Sequence, residues 1–285
     1  MTTLRIFRWL AIAGAIVAFG LAMLGSWTRI NGAGMTCPDW PLCRGAVVPV
    51  LQGGVVLEWL HRFGAALETL IVAALIVTGL RLRAAIPSLA GLLAALGAVF
   101  VLQILLGGAT IFLANSPISV MIHWGAAMLL LTVLIVILIV AWSYDPSRGA
   151  AEFSARGTGL LLLAAIFAYV TMLAGAFISS SSLGLICPGV PGCDGSFFGI
   201  GPQQALMMTH RSLAVALLVL GVAGVVVRPT TALWVAVVLT AAQITLGVLN
   251  VVWALPTALR EAHAANAVAT YLAYVVATTL ASLDR

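Results

Sequence analysis

The 285-residue chain is 63% hydrophobic and only 7% charged, with a mean hydropathy of +1.18. So little charge cannot coat a water-soluble fold of this size, and the net charge of +5, whose 13 positive charges are all arginine, speaks of membrane topology and not of nucleic acid. An all-α integral membrane protein is expected, because backbone groups in hydrocarbon must bond within their own segment.

Eight apolar runs approach the roughly 20 residues that span a bilayer core. The first covers about 8–27. It lacks a small-residue cleavage site and is expected to be a retained span, and no Arg/Ser-rich leader suggests organellar import. A loop with "CPDWPLC", Cys37 to Cys43, follows it. Runs at about 60–80, 88–113 and 119–142 complete a first half, 1–144. A polar linker, 145–156, leads to a second half, 157–285, with runs at about 157–179, 205–227, 231–254 and 263–281. A second loop, "CPGVPGC" from Cys187 to Cys193, lies between the fifth and sixth runs.

With the N-terminus inside, Arg5, Arg8, Arg81, Arg83, Arg148, Arg156, Arg228 and Arg285 fall on the cytoplasmic side. Arg29, Arg44, Arg62, Arg211 and Arg260 fall outside. Eight against five agrees with the positive-inside rule. The expected location is a bacterial or archaeal cytoplasmic membrane, with both termini cytoplasmic and both cysteine loops outside. That side is oxidising, so the disulfides Cys37–Cys43 and Cys187–Cys193 are expected, one per loop. A redox role for one pair stays open. A metal role is disfavoured, since the loops lack histidine and the spacing is not C-x2-C.

The halves repeat one another. The cysteine loops match at an offset of 150, "HRF" at His61 matches "HRS" at His210, "QILLGG" from Gln103 matches "QITLGV" from Gln243, and His123 matches His263. Four motifs in one order indicate a duplication. Four spans per repeat is an even number, so both halves share one orientation. The expected architecture is two pseudo-symmetric four-helix bundles in tandem.

All four histidines belong to the repeat. The spans place His61 and His123, and likewise His210 and His263, near the first turns of helices that run from the outer face inward. Ionisable groups in spans are costly and usually functional. Zinc would need more ligands than two. Haem iron takes two axial ligands, which two helices of a bundle can supply. Gly107, Gly108 and Gly247 remove bulk where a flat ring could lie, although small-residue helix packing accounts for them equally. Arg62 and Arg211 follow a histidine each, where a guanidinium can pair with a haem propionate or reach lipid headgroups.

The halves differ where chemistry is expected. Glu58 stands one turn before His61, while the matching residue before His210 is Met207. A carboxylate there can move a proton or stabilise a developing cation; the alternative is an interfacial glutamate favoured by the helix dipole. Glu68, seven residues after His61, reads as an interhelical hydrogen-bonding residue or a proton path.

Together these features resemble the haem A synthase family: "EWLHR" from Glu58 to Arg62, His123, the "THR" ending in Arg211, His263, and the two five-residue cysteine loops. The likeness spans about residues 10–280. It implies that His210 and His263 bind a haem b cofactor, that His61 and His123 hold the substrate haem O, and that Glu58 lies close to the reacting group. The implied reaction oxidises the C8 methyl of haem O to the formyl of haem A, with haem b carrying electrons. Implied partners are the bilayer, a haem O synthase and a membrane-associated electron acceptor or donor. A homo-oligomer is compatible with spans whose lipid-facing and subunit-facing surfaces are alike in composition. A dihaem transmembrane electron-transfer cytochrome is the rival reading, but histidines gathered at one face suit transfer across a membrane poorly. A transporter would place its polar residues near the midplane.

Overall fold

The computed structural model of the protein describes residues 2–147, 149–150, 152–193 and 196–284. Arg148 and Arg285, two of the arginines expected inside, lie outside the described residues. The chain is helical: α1 (Thr2–Ile30), α2 (Gly54–Leu80), α3 (Leu89–Phe112), α4 (Pro117–Ser143), α5 (Gly159–Ser180), α6 (Pro202–Val227), α7 (Thr231–Val252) and α8 (Thr257–Ser282). All eight are long and apolar enough to cross a membrane. The two short strands β1 (Glu152–Phe153) and β2 (Leu283–Asp284) pair antiparallel.

Several helices begin earlier than the apolar runs do. α2 starts at Gly54, α6 at Pro202 and α8 at Thr257. Polar residues such as Glu58 and Arg62 do not end α2, because their side chains find partners in the adjacent loop. The histidines therefore sit about two turns inside their helices and not on the first turn, roughly 9–12 Å along the axis.

The chain divides into two compact units. One comprises Met1–Asn115, Gly125–Ala155 and Thr279–Arg285; the other comprises Ser116–Trp124 and Arg156–Thr278. In the first, α1 packs along α2, and α2 against α3. Arg8 ties the start of α1 to the end of α4, donating to the carbonyls of Ala141 (2.9 Å) and Tyr144 (3.0 Å) and lying over the Trp142 ring. A guanidinium there satisfies terminal carbonyls that have no helical donor. In the second unit α5 packs along α6, and α6 against α7, the same order as in the first.

Candidate functional site

Both helices that carry a His-Arg pair start at a glycine in the left-handed region. Gly53 has φ 53° and Gly201 has φ 122°, a turn that a side chain would strain. His61 and His210 follow at matching heights, each half-buried. A neighbouring helix makes room for each ring. A Cβ on Gly25 of α1 would lie 2.9 Å from Cε1 of His61, and a Cβ on Gly175 of α5 would lie 2.9 Å from Cε1 of His210. These two glycines stand 150 residues apart, the same offset as the cysteine loops.

His210 is oriented by the main chain. Its Nδ1 lies 3.0 Å from the Thr171 carbonyl, which can only accept, so Nδ1 carries the proton and Nε2 the lone pair. This is the orientation by which a metal-binding imidazole is usually fixed. His61 Nδ1 is turned towards Leu21, the counterpart of Thr171, but makes no hydrogen bond.

His263 belongs to a side-chain chain within the second unit. Asn266 Nδ2 donates to the Leu239 carbonyl (2.9 Å) and to Gln243 Oε1 (2.8 Å). The Gln243 amide nitrogen is then left to donate to His263 Nε2 at 3.1 Å. His263 Nδ1 is buried without a hydrogen-bond partner, and a Cβ on Gly247 would lie 3.3 Å from Cε1. Gly247, expected to leave room for a flat ring, lies against the His263 imidazole itself. Gly108 instead backs the Trp40 ring of the first cysteine loop, at 3.2 Å from a would-be Cβ. His123 lies on α4 in the segment Ser116–Trp124, which belongs to the second unit, and is half-buried.

Both cysteine pairs, Cys37–Cys43 and Cys187–Cys193, are joined as disulfides. The loops share one backbone course, closed by reciprocal main-chain bonds between Cys43 and Ala46 and between Cys193 and Ser196. An arginine grips each from below. Arg62 donates to the carbonyls of Cys37 (2.7 Å), Asp39 and Leu42. Arg211 donates to those of Cys187 (2.8 Å), Gly189 (2.7 Å), Pro191 (3.1 Å) and Gly192 (2.9 Å). The two terminal nitrogens of each guanidinium thus face loop carbonyls, a partner other than the propionate or lipid headgroup expected from the sequence.

Glu58 is the first loop's other anchor and is 4% exposed. Its Oε2 accepts from the Cys37 N–H (2.8 Å) and the Thr36 hydroxyl (2.9 Å), and its Oε1 pairs with Arg62 at 2.7 Å. In the second unit the corresponding residues are Met207 and Ile186. They pack in an apolar cluster with the Cys187–Cys193 disulfide, Ile178 and Met208. Outside the spans, Asp39 accepts from the N–H groups of Gly45 (2.7 Å) and Arg44 (2.5 Å), chiefly the former holding its carboxyl below the usual range. Glu68 is 1% exposed, and neither carboxyl oxygen has a hydrogen-bond partner, so it does not serve as an interhelical hydrogen-bonding residue here.

The donors suit an iron porphyrin in the second unit. His210 offers an oriented lone pair and glycines clear both rings, while on His263 the lone pair is on Nε2, where iron would take the place of the Gln243 amide. Among the described residues no three His, Cys, Asp or Glu side chains converge as for a protein-caged metal ion.

Known proteins are similar to this chain over most of its length. A family model described as cytochrome oxidase assembly protein, COX15-CtaA, matches residues 8–55 and 50–275. A heme A synthase of Bacillus licheniformis is 26% identical over 223 residues, 73% of this chain and 72% of its own. One from Geobacillus thermodenitrificans is 27% identical over 229 residues, 77% and 70% of the two chains. One from Symbiobacterium thermophilum is 26% identical over 228 residues, 75% and 74%. With a model matched over nearly its whole length, this chain belongs to the COX15-CtaA family of cytochrome oxidase assembly proteins.

Proposed function

We propose that the chain is a haem A synthase, an oxidoreductase that converts the C8 methyl group of haem O to the formyl group of haem A. The family resemblance gives His61, and likewise His123, the role of a residue that would hold the substrate haem O. His210 and His263 hold haem b, which supplies one-electron transfer when bound. Thr171 and Gly175 fix the His210 ring, and Asn266 holds the Gln243 amide beside His263.

The observation that carries this reading is Glu58 beside His61 against Met207 beside His210. Three donors hold the Glu58 carboxyl in place, which suits a fixed negative charge better than a mobile base. Oxidation of a methyl group draws electrons from carbon, and a preorganised carboxylate lowers the energy of the positive charge that develops. A substrate this apolar travels within the bilayer, so a haem O synthase in the same membrane is the natural donor and a membrane-associated redox protein the electron partner. We place both termini inside and both cysteine loops outside, since the arginine distribution favours that arrangement.

Extraction of pigment from the purified chain tests the reading. Haem b together with haem O or haem A is expected. Haem b alone at two per chain would favour the dihaem cytochrome, and colourless protein the transporter. In the same assay Glu58→Gln should retain pigment and lower haem A formation by about 10²–10³-fold. Unchanged haem A formation would remove Glu58 from the chemistry.

A further inference from the structure

Gln103 on α3 and Gln243 on α7 occupy the same position of the two repeats. Their surroundings differ. The Gln243 amide is satisfied at both ends, by Asn266 on one side and His263 on the other. The repeat counterpart of Asn266 is Ala126, which is buried and carries no polar group. Facing no amide, the Gln103 Oε1 is buried with no hydrogen-bond partner. An amide oxygen left so bears its full desolvation penalty. Glutamine is thus retained in both halves while its protein partner is present in one.

We infer that Gln103 is a substrate-positioning residue whose side-chain amide takes a hydrogen bond from a hydroxyl group on the porphyrin held by the first half. This rests on the reading of that half as the haem O site. A hydroxyl both donates and accepts, so it satisfies whichever end of the amide faces it. Two hydroxyls have this chemistry. One is carried by the isoprenoid side chain of haem O. The other is the alcohol through which a methyl group passes on its way to a formyl group. Haem b bears neither, and the glutamine of the haem b half is the one already satisfied by the protein. The contact also gives the site a means of preferring haem O to haem b, because a buried amide rejects a ligand that leaves it unpaired.

The test uses the full-length chain with Gln103→Met, an unbranched apolar replacement of similar length, and with Ala126→Asn, which offers Gln103 the partner that Gln243 has. Haem b retention, read from the reduced-minus-oxidised spectrum, reports an intact second half in each variant. Haem O and haem b are then titrated into the first-half site, and the pigments formed on turnover are extracted and separated. If the side-chain hydroxyl is the donor, both variants bind haem O about 5- to 15-fold more weakly and lose the preference over haem b. If the new alcohol is the donor, both bind haem O normally and release several-fold more of the hydroxymethyl porphyrin. Should Gln103→Met fail to retain haem b, Ala126→Asn decides alone. Unchanged binding preference together with an unchanged pigment ratio overturns the inference. Failure of the unsubstituted chain to take up haem O would instead overturn the haem A synthase reading itself.

Discussion

Gly25 and Gly175 govern whether an imidazole can stand where His61 and His210 stand. A Cβ at 2.9 Å from a ring carbon is closer than real contacts allow, so any side chain at Gly175 must push His210 off the Thr171 carbonyl. Gly175→Val is therefore expected to remove most of the haem b signal from the spectrum while the chain still inserts and still binds pigment in its first half. The histidines were legible in the sequence because no others exist; the two glycines were not, because small residues recur throughout the spans and only the contact across helices distinguishes these two. Asp39 makes a different prediction, in the loop outside the spans. Its folded value is depressed below the ordinary 3.8, mainly by the Gly45 N–H. A depressed carboxyl stabilises the fold above its unfolded value and loses that contribution as pH falls through its folded value. Asp39→Asn should accordingly lower the melting temperature at pH 7, by a margin that shrinks as the pH is taken down to 3. An equal difference at both pH values would show that the Asp39 charge is immaterial.

At the scale of the element, the cysteine loops are shaped from inside by arginine as much as by sulfur. Each guanidinium reaches several carbonyls of one tight turn, a planar pattern that an ammonium group cannot match. The "HR" motif was plain in the sequence, but its target was not. Charge next to an expected haem suggests a propionate, and nothing in a linear pattern reveals that a disulfide-closed turn aims its carbonyls at the following helix. The two arginines should also differ in consequence. Arg62→Met removes loop contacts and strands the buried Glu58 carboxylate, a loss on the order of 3–5 kcal/mol. Arg211→Met removes comparable loop contacts with no carboxylate beneath it, and should cost less, about 1.5–3 kcal/mol. Denaturation of the two variants in the same detergent checks the order, and a larger loss at Arg211 would refute it.

Across the whole molecule, the eight spans and the duplication could be read before any coordinates, since bilayer thickness dictates segment length and four motifs recur in order. What the duplication could not disclose is that its departures come as matched sets. Thr36 and Glu58 in one half correspond to Ile186 and Met207 in the other, a polar pair against an apolar one. Glu68 corresponds to Leu217, and Gln103 with Ala126 corresponds to Gln243 with Asn266. Motif matching aligns what is alike, so the partners of an unlike residue emerge only when side chains meet across helices. This predicts that the first half's polar pair can be transplanted only as a pair. Met207→Glu alone brings a carboxylate into an apolar cluster, where Arg211 one turn on can meet one oxygen while the other faces the Ile186 side chain. Adding Ile186→Thr supplies the hydroxyl that Thr36 gives Glu58 at 2.9 Å. The single exchange should lower the melting temperature, and the double should recover part of the loss, with a coupling of roughly 0.5–3 kcal/mol from the mutant cycle. Additive losses would mean that the two positions changed independently after the duplication.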